Sequence, residues 1–223
     1  MFPRLLTGLL IVSAMPIFLF AQEAASIPEE IEWTWEVRPT SADAKLPNVL
    51  LIGDSITRDY FPAVTRLLAG RANVYLIATS ACVGDPRLPR QIDDFSALEG
   101  VHFSLVHFNN GMHGWAYSES EYKNGFSPFL RAIKASAPGA RLVWATTTPV
   151  KTEASPGPTN SRIDSRNAIA NEFVKKDGIA VDDQHELMAH HPDMYQDSVH
   201  FNGDGAELQA AQVVGTINSL LTK

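Results

Sequence analysis

Five short apolar runs, each separated from the next by a stretch with helical spacing, constrain the fold of this chain more than any other feature. The runs are NVLLIG (48–53), NVYLIA (73–78), VHFSLVHFN (101–109), ARLVWAT (140–146) and GIAVDD (178–183). Helical spacing of apolar residues is expected over 57–70, 89–100, 118–136 and 161–178, and again after Gly203, with Gly70, Gly100 and Gly178 where helix ends belong. Strands without polar alternation are buried on both faces, and strands alternating with helices join in parallel through crossovers. The expected fold class is therefore α/β, a three-layer α/β/α sandwich around a five-stranded parallel sheet. In such open sheets ligands bind beyond the carboxyl ends of the strands, so the chemistry belongs where each apolar run stops.

The N-terminus reads as a targeting segment. Arg4 precedes an uncharged apolar stretch over 5–21 that ends in the small residue Ala21. This pattern predicts a signal peptide over 1–21 and a periplasmic or extracellular destination; Leu19 suits a cleavage site poorly, which leaves an uncleaved membrane anchor as the alternative. Residues 22–46 are polar and acidic, carry Trp33 and Trp35, and read as a leader lying against the edge of a domain that spans 47–223. No later stretch is long and apolar enough for a membrane span.

With 45% apolar residues in 223, there is material for one core and no second domain. The net charge of −7 offers no field for a phosphate backbone, which argues against nucleic acid as a partner. The single cysteine, Cys82, has no internal disulfide partner and reads as a buried small residue.

The rim of the expected sheet gathers polar residues. Gly53-Asp54-Ser55 follows the first run, Cys82-Val83-Gly84-Asp85 the second, and Asn109-Asn110-Gly111-Met112-His113 the third. Ser55 sits at a strand-to-helix turn, where it reads either as a helix cap or as a nucleophile close to the positive end of the helix. A serine nucleophile needs a base. Asp197 and His200 are three residues apart before the last helix, a spacing that lets the carboxylate hold one ring nitrogen while the other accepts a proton. On spacing alone such a pair is more often a surface hydrogen bond than a base.

The Asn48–Thr57 block NVLLIGDSIT together with Asp197-Ser198-Val199-His200 resembles the first and last blocks of the SGNH, or GDSL, hydrolases, and the resemblance covers roughly residues 47–221. It implies a flavodoxin-like SGNH hydrolase fold and a serine esterase in which Ser55 is the nucleophile, His200 the base and Asp197 its orienting carboxylate. It further implies an oxyanion hole from the Ser55 N–H, a glycine N–H matched best by Gly84, and an asparagine side chain. The third block departs from the usual G-x-N-D, and its nearest match is an N-x-G-L-H variant. Asn109 is the expected side-chain donor, with His113 second.

No cofactor or metal is expected. His185, Glu186, His190 and His191 suggest a zinc helix, but His185 and His190 are five apart and miss a common helical face. His102 and His107 read as core or edge histidines, and Asp182 and Asp183 as a solvated turn or partners of the site. Trp115 and Tyr117 are candidates for an aromatic wall, and the Pro/Gly-rich stretch after Thr148 for a cover over the site. The expected substrate is a small-molecule or carbohydrate ester, with deacetylation of carbohydrate foremost. The alternatives are a lipase or thioesterase, an O-acyltransferase, and a binding module that has lost turnover. Oligomeric state is not legible.

Overall fold

The computed structural model describes residues 25–221; the expected signal peptide over 1–21 lies outside them. The elements run β1 (Thr34–Val37), β2 (Asn48–Gly53), α1 (Ser55–Leu67), β3 (Asn73–Thr79), α2 (Arg87–Glu99), β4 (Phe103–Phe108), α3 (Glu119–Ser136), β5 (Arg141–Ala145), α4 (Asn160–Lys176), β6 (Ala180–Asp182), α5 (Gln184–Ala189) and α6 (Gly203–Leu221), with a 3-10 turn at Pro192–Met194 before the last helix.

The two-residue period of a strand explains the layers. Val49 and Leu51 of β2 join Val74 and Leu76 of β3 in one core, against Val64 of α1 and Val213 and Ile217 of α6. Leu50 and Ile52 point the other way and pack with Ile77, Phe108, Trp144 and the aromatic residues of α3. Both faces are covered, so the apolar runs read without alternation.

The sheet has six strands in the order β1-β3-β2-β4-β5-β6, not the expected five. The extra strand, β1, comes from the leader and pairs antiparallel with β3, Thr34 opposite Thr79. It escapes the sequence pattern because it is a four-residue edge strand with no buried residue, and Trp35 is 53% exposed. The other strands are parallel, and β2 lies between β3 and β4. The loops that follow β3 and β4 therefore flank the end of β2, where Ser55 begins α1.

Candidate active site

Asp54, not Ser55, caps α1. Its Oδ1 accepts the Ile56 N–H at 2.9 Å, and Ser55 is the first residue of the helix. The capping role open to Ser55 is thus filled by its neighbour, and the serine hydroxyl points to His200 instead, with Oγ 2.8 Å from Nε2. The leading N–H groups of a helix have no acceptor within it, so the Ser55 backbone adds donor character beside its own side chain.

The loop that brings His200 across 145 residues of sequence is tightly self-bonded. Tyr195 and Phe201 form an antiparallel bridge, and the His200 carbonyl accepts from the Gln196 N–H at 2.9 Å. Asp197 folds the tip: Oδ1 accepts the backbone N–H groups of Val199 and His200 at 2.8 and 2.7 Å, and Oδ2 lies 2.8 Å from His200 Nδ1. Burial works to raise the Asp197 pKa, but the two backbone N–H groups and the imidazole outweigh it and bring it to about 2. The carboxylate is therefore ionised throughout the neutral and mildly acidic range. The stretch after β5 supports this loop rather than covering it: the Ser198 carbonyl accepts from Lys151 N–H at 2.9 Å and the Tyr195 hydroxyl donates to the Pro149 carbonyl at 2.7 Å.

Beside His200 lies an open depression of about 360 Å³ lined by Arg58, Asp59, Gln196, His200, Asn202 and the start of α6. Its lining is rich in charged and amide side chains. Arg58 lies over the rings of Trp33 and Trp35, at 5.4 and 5.2 Å from their centroids, so the leader reaches the edge of this depression.

The structure brings Ser55, His200 and Asp197 together and leaves the amide of one expected oxyanion residue, Asn109, otherwise engaged. Both N–H groups of Asn109 are spent on the next strand, one on the Ala145 carbonyl at 2.7 Å and one on Thr147 Oγ1 at 3.1 Å. An asparagine amide has only two such donors, so in this structure the amide of Asn109, the expected oxyanion donor, is engaged within the protein. Asn110 likewise ties the loops together, accepting from Val83 N–H and donating to the Ala81 carbonyl. Gly84 has a packing reason of its own, since a Cβ there would stand 2.8 Å from the Tyr117 ring. Burial pushes the thiol of neighbouring Cys82 up to about 11.

His113 is differently placed. Nδ1 lies 2.9 Å from Glu29 Oε2, and the other oxygen of that carboxylate accepts the Gly114 N–H at 2.7 Å. Burial alone would depress the imidazolium of His113, but the hydrogen bond to Glu29 and the negative charges of Asp54, Glu29 and Glu32 outweigh it and raise its pKa. On the partner, burial tends to raise Glu29, and His113, the Gly114 N–H and Arg166 together hold it below the ordinary carboxylate value. From α4, the buried Arg166 guanidinium donates to the carbonyls of Gly111, His113 and Gly114 at 2.9, 2.6 and 3.0 Å. Glu29 and Arg166 were not legible as site residues: one sits in a polar leader and the other inside a long helix.

The remaining candidates serve the scaffold. His107 and Asp182 form a buried pair at 2.8 Å, with Gln212 and Gln184 also donating to Asp182, so Asp182 is neither a solvated turn nor a partner of His200. Asp183 caps α5. His102 lies outside β4, and its carbonyl accepts from Asn48. His185 and His190 turn to different carboxylates, Asp164 and Glu186. Trp115 lies under Arg162 and Arg166, and Tyr117 accepts the Ile27 N–H on its hydroxyl; neither lines the depression beside His200.

Among solved structures, the chain resembles a lipase/acylhydrolase from Enterococcus faecalis, with 18% identity over 78% of this chain and 96% of that one and a TM-score of 0.63. A GDSL-like lipase from Bacteroides thetaiotaomicron matches with 16% identity over 78% of this chain and 89% of its own, also at a TM-score of 0.63. A carbohydrate esterase family 3 protein from Talaromyces cellulolyticus matches with 15% identity, 79% and 99% coverage and a TM-score of 0.63. At these identities the likeness is one of fold. No curated protein sequence matches. The sequence model of the GDSL-like lipase/acylhydrolase family does match, over residues 51–208 and so across both the Ser55 and the His200 blocks, and by that match the chain belongs to this family of ester-bond hydrolases.

Proposed function

We propose that the protein is an exported serine esterase that removes short acyl groups from a polar alcohol, a carbohydrate foremost, through an acyl-enzyme on Ser55. The observation that carries this reading is the continuous chain of contacts from Ser55 Oγ to His200 Nε2 and from His200 Nδ1 to Asp197, each 2.8 Å long. His200 takes the proton as Oγ adds to the ester carbonyl and returns it to the departing alkoxide oxygen; water then repeats the sequence in reverse and releases the acid. Asp197 fixes the tautomer and stabilises the imidazolium.

The substrate reading is supported by the depression beside His200, whose lining includes Arg58, Asp59, Gln196 and Asn202. Phe201 and Ala206 are the apolar members of an otherwise charged and amide lining, which suits a hydroxylated leaving group better than a long acyl chain. The carbohydrate esterase among the structural neighbours points the same way. The apolar stretch over 5–21 behind Arg4 supports the export part of this reading.

Initial rates on nitrophenyl acetate, butyrate and octanoate, with an acetylated oligosaccharide beside them, test the substrate class. The acetyl ester is expected to exceed the octanoyl ester in kcat/KM by at least about tenfold, since only Phe201 and Ala206 offer the extra methylenes apolar surface in the depression. Equal or faster turnover of octanoate would favour a lipase.

A further inference from the structure

The contact between the leader and the third rim loop has a chemical consequence. When Ser55 Oγ adds to an ester carbonyl, an electron pair moves onto the carbonyl oxygen, and that oxygen needs fixed donors. One is available from the start of α1. Asn109 supplies none, because its amide is committed to Ala145 and Thr147. We propose that Glu29 is a positioning residue for ester hydrolysis: it fixes the His113 ring so that Nε2 meets the carbonyl oxygen of an ester at Ser55, and His113 takes the donor role. This rests on the esterase reading above.

Topology and contacts carry the inference. Because β2 lies between β3 and β4, the loop holding His113 borders the end of β2. Glu29 grips that loop at two points, the His113 ring through Oε2 and the Gly114 N–H through Oε1. Trp33 stands edge-on to the ring with centroids 5.6 Å apart, and Arg166 holds the His113 carbonyl from the opposite side. The ring is thereby fixed in rotation as well as position. With Nδ1 committed to Glu29, Nε2 is the nitrogen left for substrate, and the His113 side chain keeps 18% of its surface open. The charged groups that act on the ring and its partner are Glu29 and Glu32 of the leader, Asp54 of the turn before α1 and Arg166 of α4; the three carboxylates favour the imidazolium, in which Nε2 carries a proton to donate. The leader is on this account part of the catalytic unit.

A double-mutant cycle tests it, with kcat and KM measured on nitrophenyl acetate for the wild type, Glu29→Ala, His113→Ala and the pair, and thermal unfolding followed for each. His113→Ala is expected to lower kcat about 100- to 1000-fold with little change in KM. Glu29→Ala should lower it about 10- to 100-fold, and no further loss should follow when it is added to His113→Ala. Glu29→Gln, which keeps one acceptor and the side-chain shape, should recover part of the loss and serves in place of Glu29→Ala if that variant folds poorly. The exposed neighbour substitution Glu30→Gln should behave as wild type. Independent, additive losses from Glu29→Ala and His113→Ala, or unchanged kcat in either, would overturn the inference while leaving the esterase intact. A wild-type protein that turns over no acyl ester and leaves Ser55 unreactive to a fluorophosphonate would defeat the esterase reading itself.

Discussion

Ser55→Ala is expected to lower kcat for acyl-ester hydrolysis by about 10⁴-fold or more, while the unfolding midpoint moves by only a few degrees. The two halves of this expectation have separate causes. Activity falls because the hydroxyl that lies 2.8 Å from His200 Nε2, placed to add to the carbonyl under the influence of that base, is gone. Stability holds because the helix cap belongs to Asp54, whose Oδ1 keeps the Ile56 N–H whatever stands at position 55. A capping serine would show the reverse, a loss of about 1 kcal/mol in stability and little effect on rate. Steady-state kinetics paired with a thermal melt on the same preparation separates the two. Substantial residual turnover in the alanine variant would remove Ser55 from the mechanism.

The second large effect is structural. Arg166→Met should cost roughly 3–5 kcal/mol in stability, read as a drop of about 10 °C in the unfolding midpoint. Arg166 is buried, yet it donates to three consecutive-loop carbonyls, those of Gly111, His113 and Gly114, with its guanidinium 4.2 Å from the Trp115 ring centroid. Methionine fills much of the volume but takes the guanidinium donors from the Gly111 and His113 carbonyls and leaves the Gly114 carbonyl only the Tyr117 N–H. Lysine should restore little, since an ammonium on a flexible stem lacks the planar fork that spans them. The rate should fall with the stability, because the same loop carries His113. Denaturant or thermal unfolding of the Met and Lys variants checks this; a midpoint within a degree or two of wild type for Arg166→Met would show that the loop holds itself.

Much of the architecture was legible because the strands are buried on both faces. Runs such as NVLLIG and VHFSLVHFN leave few alternatives to a covered parallel sheet, and their ends marked the functional rim. Strand β1 was not legible, since its alternation is too short and too exposed to stand out from a polar leader. The Ser55 and Asp197–His200 blocks stood out through their resemblance to the first and last blocks of a known family; locally they are a strand-to-helix turn and a self-bonded four-residue loop, which alone say little. Asn109 was read as a donor through the third-block resemblance, which says nothing of what else its amide meets. The sheet edge has its own hydrogen-bond demands, and Ala145 and Thr147 claim that amide first. Glu29 and Arg166 act through contacts 84 and 55 residues away in sequence, the first on the His113 ring and the second on the Gly111 carbonyl, and nothing in their immediate neighbours announces such partners.

His200 is expected to activate the Ser55 hydroxyl. Peptide mass mapping after exposure to a fluorophosphonate reads that activation directly, with no assumption about the natural ester. The wild type is expected to carry a single phosphonyl adduct on Ser55 and the His200→Ala variant to label at least about 100-fold more slowly. A wild-type Ser55 that stays unlabelled, or one that labels equally fast without the imidazole, would contradict the account.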